Sequence, residues 1–158
     1  MTMARVQILF ATMTGTAELV AEELMDHLSG QSVDCSMDPI DTFDVSRLEN
    51  LEIILICTST TGEGEVPDNG LEFHRYLREE QPDLRHIRFG VCGLGDSSYS
   101  ATFNAGGAQF EAALISCGAV KIGERMLHDA SSEVLPEDQA VGWCDDWLRL
   151  LSLSDQTV

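Results

Sequence analysis

The chain has 158 residues, 44% of them hydrophobic, a size and composition that suit one domain with a proper core. Its 27 acidic against 9 basic side chains leave a net charge of −18, which argues against nucleic acid or an anionic membrane surface as a ligand, since clustered Lys and Arg bind those. No apolar run approaches the ~20 residues of a membrane helix, and Met1–Arg5 leads into no signal-peptide h-region.

In chain order, Val6–Ala11 reads as a first buried strand. Ala17, Ala21, Leu24 and Leu28 fall on one helical face and predict a helix over Ala17–Leu28, with Gly30 as its stop. Ser32–Ser36 reads as a more polar, edge-like second strand, and Asp38–Asn50 as an irregular connection with one short turn at Val45–Leu48. A third strand is expected at Ile53–Thr58, a helix at Leu71–Glu80 ending before Pro82, and a fourth strand at Arg88–Gly93. Gly106–Cys117 reads as a helix with Phe110, Ala113, Leu114 and Cys117 inward, and Ala119–Ile122 as the fifth strand. Pro136 with Glu137 and Asp138 suits a helix start, predicting a helix to Leu151 and a frayed tail over Ser152–Val158. Near-continuous Ile, Leu and Val runs mark strands buried on both faces. Their alternation with helices predicts an α/β three-layer sandwich: a five-stranded parallel sheet of order 2-1-3-4-5 with helices on both faces, one domain over residues 1–158.

The five cysteines (Cys35, Cys57, Cys92, Cys117, Cys144) are widely spaced, without a C-x-x-C pair. They read as reduced core thiols of a cytoplasmic protein. The four histidines (His27, His74, His86, His128) show no metal-ligand spacing and pair with no nucleophile, so surface or half-buried roles are expected.

Three polar, glycine-bearing loops follow the first, third and fourth strands, at the strand ends where open α/β sheets bind ligands. The first, Thr12-Met13-Thr14-Gly15-Thr16-Ala17-Glu18, opens a helix. That helix start offers amide N–H groups and a dipole to an anion, the threonines add hydroxyls, and Gly15 lets the backbone approach. It has no lysine and is therefore not a nucleoside triphosphate loop. A capping threonine with a turn glycine would also account for it. A late Gly93-x-Gly95 without a third glycine does not make a dinucleotide fingerprint. Ser59 and Thr12–Thr14 stand where a receiver domain would need acids.

Together with Ser59-Thr60-Thr61-Gly62-Glu63-Gly64-Glu65-Val66-Pro67-Asp68-Asn69 and Gly93-Leu94-Gly95-Asp96-Ser97-Ser98-Tyr99 through Phe103-Asn104, this loop resembles the flavodoxin family, nearest the short single-domain bacterial members of the MioC and YqcA type. The likeness runs from about Val6 to Leu151. It implies a flavodoxin-like fold with FMN as cofactor, which in this fold lies at the switch point between strands 1 and 3. By the resemblance, Thr12, Met13, Thr14, Gly15, Thr16 and Ala17 hold the FMN phosphate. Ser59, Thr60, Thr61 and Gly62 pass the inner side of the flavin. Leu94, Gly95, Asp96 and Tyr99, with Phe103 and Asn104, cover the other side, Tyr99 stacking on the ring. Asp129 resembles a polar residue near the flavin edge; a surface acid is its plain reading. Many relatives carry a second aromatic where Thr61 stands, so another side chain, such as Met13, would have to cover that face. The Gly62 peptide is expected to rotate on reduction.

The resemblance further implies a monomeric carrier shuttling single electrons from an NADPH-dependent flavoprotein reductase to an unidentified redox enzyme, without catalytic residues of its own or a metal. The alternative is an FMN-dependent quinone or NAD(P)H oxidoreductase acting directly on a small substrate. Glu63, Glu65, Asp68, Asp96, Asp129 and Glu133 lie in or near the loops, and fit either plain solubility or steering toward a basic partner.

Overall fold

A computed structural model describes residues 5–11, 15–59, 70–95, 105–129 and 132–156. The order of elements is β1 (Val6–Ala11), α1 (Thr16–Gly30), β2 (Cys35–Pro39), a 3-10 turn (Val45–Asn50), β3 (Ile53–Thr58), α2 (Leu71–Glu80), β4 (Arg88–Gly95), α3 (Ala105–Ser116), β5 (Val120–Lys121), β6 (Met126–Asp129) and α4 (Pro136–Gln156). The parallel sheet runs β2-β1-β3-β4-β5, and β6 also pairs with β4. This is the expected 2-1-3-4-5 order, with helices on both faces.

Side-chain alternation sorts the strands between two cores. Val6, Ile8 and Phe10 of β1 and Ile53, Leu55 and Cys57 of β3 face Val20, Leu24 and Leu28 of α1 and Cys144, Trp147 and Leu151 of α4. Leu9, Ala11, Ile54, Ile56, Phe89 and Val91 face Phe73 and Leu77 of α2 and Phe110 and Leu114 of α3. Every residue of β1 and β3 is buried, as strands covered on both faces must be. Each fully buried Ile or Leu removes apolar surface worth ~1.5–3 kcal/mol from water.

Two strands depart from expectation. The second begins three residues later than predicted, because α1 continues to Gly30 and a turn with Ser32 at φ 65° follows it. Cys35 then pairs with Val6 and Pro39 with Phe10. A polar clamp fastens this edge. The buried Gln7 amide donates to Asp38 Oδ2 at 3.0 Å, and Ser36 Oγ donates to Gln7 Oε1 at 2.9 Å. The predicted fifth strand, Ala119–Ile122, shortens to Val120–Lys121, and Met126–Asp129 adds a sixth strand that was not predicted. Val120–Lys121 pairs with Arg88–Phe89, and Met126–Asp129 with Cys92–Gly95. Between them the chain turns at Gly123, whose φ of 71° suits glycine. β4 accordingly extends to Gly95, so Leu94 and Gly95 are strand residues and not loop residues. The C-terminal segment expected to fray continues α4 to Gln156.

All five cysteines are free, four of them buried. Burial first, then the neighbouring Asp145, pushes the Cys144 thiol up to about 12, and burial likewise raises Cys92. These are inert core thiols. His128 is not a surface or half-buried histidine but is 4% exposed.

Candidate functional site

The carboxyl ends of four strands converge. Ala11 is in register with Thr58, Thr58 with Gly93, and Gly95 with Asp129. The first two loop roots are also tied directly, the Ser59 N–H donating to the Ala11 carbonyl at 3.1 Å. Thr58 Oγ1 donates to the Ser59 carbonyl at 3.0 Å.

Of the first loop, Gly15, Thr16 and Ala17 are described. Gly15 is the N-cap of α1 at φ 92°, ψ −6°, and contributes no side-chain cap. This left-handed backbone costs an L-residue ~1–2 kcal/mol. Among the described residues, no heavy atom would lie within 4 Å of a Cβ placed on Gly15. Thr16 is half-buried. The Ala17 side chain is fully buried in the α1 core. In the second and third loops, Ser59 is half-buried, Leu94 is buried, and Gly95 ends β4. Asp129, half-buried, ends β6; its carbonyl accepts from Ser132 N–H at 3.0 Å and Ser132 Oγ at 2.7 Å. Thr12, Met13, Thr14, Thr60, Thr61, Gly62, Asp96, Tyr99, Phe103 and Asn104 lie outside the described residues.

Two glycines that the motifs did not single out set the walls. A Cβ on Gly70 would come 2.9 Å from Phe110 Cζ and 3.1 Å from Ala11 Cβ, so the second loop returns to α2 directly against the end of β1. A Cβ on Gly107 would stand 3.2 Å from Arg125 Cδ and 3.3 Å from Val91 Cγ1. The start of α3 is thereby drawn onto the end of β4. The available signal was a glycine at or just inside each helix start, which periodicity cannot distinguish from an ordinary cap.

The loops after β1, β3, β4 and β6 contain no Lys or Arg. The nearby Arg125 is committed to Glu111, at 2.6 Å, and Lys121 joins the same carboxylate at 3.1 Å. A phosphate at the α1 start would therefore be held by amides, hydroxyls and the helix dipole. The side-chain-free, left-handed Gly15 cap, with no described atom within 4 Å on its Cβ side, fits the phosphate tail of FMN. Among the described residues no group of three or more His, Cys, Asp or Glu side chains could hold a metal ion. No helix among them is long and apolar enough to cross a membrane.

Strand ends that gather polar loops without Lys or Arg beside a helix start define a cofactor-binding protein of the doubly wound α/β class. The Flavodoxin family model matches residues 8–143. Flavodoxin YqcA of Escherichia coli K12 is 36% identical over 152 residues, covering 95% of this chain and 100% of its own. NADPH-dependent diflavin oxidoreductase 1 of Bos taurus is 34% identical over 152 residues, covering 94% of this chain and 25% of that protein. The solved structure of a C101A mutant of flavodoxin from Pseudomonas aeruginosa superposes with a TM-score of 0.85 at 35% identity, over 94% of this chain and 99% of the other. The chain belongs to the flavodoxin family of FMN-binding electron carriers.

Proposed function

We propose that this chain is a monomeric carrier in the cytoplasm. It takes single electrons from an NADPH-dependent flavoprotein reductase and delivers them to a separate redox enzyme. The observation that carries this reading is the left-handed Gly15 cap of α1 beside the convergence of four strand ends, in a chain of this family. The likeness to part of an NADPH-dependent diflavin oxidoreductase supports an NADPH-dependent flavoprotein reductase as the donor. Five free cysteines suit a reducing compartment.

FMN, when bound, supplies one- and two-electron chemistry at an exposed ring edge. The protein's own residues bind and orient it. Thr12, Met13, Thr14, Gly15, Thr16 and Ala17 hold the phosphate through amides and hydroxyls. Ser59, Thr60, Thr61 and Gly62 line the inner face, their root fixed by the Ser59–Ala11 hydrogen bond. Leu94, Gly95, Asp96, Tyr99, Phe103 and Asn104 form the outer wall, with Asp129 at the edge. Carboxylates around the loops disfavour added negative charge there.

Titration of the purified chain with FMN, followed by flavin fluorescence, tests binding. Saturable quenching is expected, and unquenched fluorescence over a natively folded chain would overturn the reading. The loaded protein by itself should not turn over NADPH, and should accept electrons once a flavoprotein reductase is added. Steady-state NADPH oxidation by the loaded protein alone would instead establish the direct oxidoreductase.

A further inference from the structure

The strap between β6 and α4 holds apolar side chains out in water. Val134 and Leu135 are 53% and 56% exposed, the two highest values among the large hydrophobic residues described. The backbone beneath them is fastened on both sides. The buried His128 ring bonds the Val134 carbonyl through Nε2 at 2.7 Å, and Ser132 is tied back to the Asp129 carbonyl. The Gln139 N–H donates to the Leu135 carbonyl at 3.1 Å, and its side-chain amide donates to the Leu127 carbonyl at 3.0 Å. Leu127, on the edge strand, is itself 45% exposed. A segment that could fold its apolar groups inward is instead held in a set shape with them outward, as preorganised contact surfaces are.

Location and charge define the occupant. The strap leaves β6 at Asp129, in register with Gly95 where the third loop departs, so it flanks the cofactor end of the sheet. From Met126 to Leu148 there is no Lys or Arg, and Asp129, Glu133, Glu137 and Asp138 flank the two apolar residues. A second copy would oppose acids with acids across a two-fold contact. We propose that Val134 and Leu135 are the apolar anchor of the docking surface for a redox partner whose own contact is an apolar spot ringed by Lys and Arg. This rests on the carrier reading above and adds where the partner sits and what its surface carries. The anchor supplies short-range contact, while the flanking acids supply steering.

Horse cytochrome c, whose haem edge is ringed by lysines, serves as the probe. The FMN-loaded chain is photoreduced with a tertiary amine as sacrificial electron donor; each flavin oxidised by one electron then turns one ferric haem ferrous, with no bond made or broken between the proteins. The double variant Val134→Ser/Leu135→Ser should retain FMN affinity and spectrum and lose about tenfold in bimolecular rate. The Glu133→Gln/Asp138→Asn variant should flatten the ionic-strength dependence. Ile115→Ser, a change at an exposed residue of α3, should leave the rate within about twofold, as expected of scattered surface apolar groups. In methyl NMR of the oxidised protein with ferric cytochrome c, the Val134 and Leu135 signals should shift first. An unchanged rate in the double variant, or an equal loss in Ile115→Ser, overturns the assignment. So does a dimer in sedimentation that the double variant abolishes, which would make this face a self-association surface. Failure of the chain to take up FMN is seen before any partner is added, and overturns the carrier reading separately.

Discussion

Single residues here act through what they leave out. Gly15 sits at φ 92° with no atom of the described residues within 4 Å of where a Cβ would stand, so the cost of Gly15→Ala is conformational rather than steric. A loss of ~1 kcal/mol in stability is expected, with about tenfold weaker FMN binding as the backbone relaxes and re-aims the amides. Riboflavin, which lacks the phosphate, should be affected less; parallel fluorescence titrations with both flavins check this, and equal losses would remove the phosphate role. Gly90 leaves room for a ring. A Cβ there would collide with Trp147 Nε1 and stand 2.9 Å from Trp143 Cη2, beneath a stacked pair with ring centroids 5.6 Å apart. Gly90→Ala should destabilise the fold by ~1–3 kcal/mol through overpacking, read from the urea midpoint, and Trp147→Phe in the same background should recover part of the loss. The two glycines were not equally legible. Gly15 announces itself by a strand before it and a helix after it. Gly90 lies in an apolar run, and the tryptophan that requires it is 57 positions away, beyond any local pattern.

At the level of elements, β1, β3 and α2 stand where apolar runs and spacing put them, because strands buried on both faces and one-sided helices leave periodic signatures. The sheet margins were harder to read. Cys35–Pro39 is half-exposed throughout and is held partly by Gln7, a buried polar residue in an otherwise apolar strand; polar edge pairing leaves no hydrophobic period. The opposite margin is split at Gly123, and its second half, Met126–Asp129, became visible only through pairing with β4. That margin is tied to α3 by Glu111. Burial alone would raise this carboxyl, but hydrogen bonds from Arg125 and Lys121 outweigh it and hold Glu111 below its usual value. Glu111→Gln should cost ~1–2 kcal/mol near neutral pH, as for other hydrogen bonds to charged groups. A depressed folded value means the contribution is present above the ordinary glutamate range and is lost as pH falls through the lowered value. The stability gap between the two proteins, from urea melts at descending pH, should therefore close in acid; a gap that persists or widens there would deny the ion pair its role.

For the molecule as a whole, the net charge of −18 bears on folding as well as on encounter. Most ion pairs with resolved geometry, such as Arg5–Asp34, Arg85–Asp83 and Arg149–Asp146, are well exposed and each contributes little. The excess of 27 acids over 9 bases is therefore left as unbalanced repulsion in the compact state. Raising salt from ~0.01 to ~0.15 M shortens the screening length from about 30 Å to about 8 Å, weakening repulsion between distant acids more than attraction within paired groups. The melting temperature of the FMN-loaded protein, with free FMN held in constant excess, should rise by a few degrees over this range. The same salt should slow electron delivery to a basic acceptor, because steering acts over the distances that are screened first. Opposite responses of stability and transfer rate are the signature of one acidic surface serving both. A melting temperature that falls with salt would mean that local ion pairs, and not net repulsion, dominate the electrostatics of the fold.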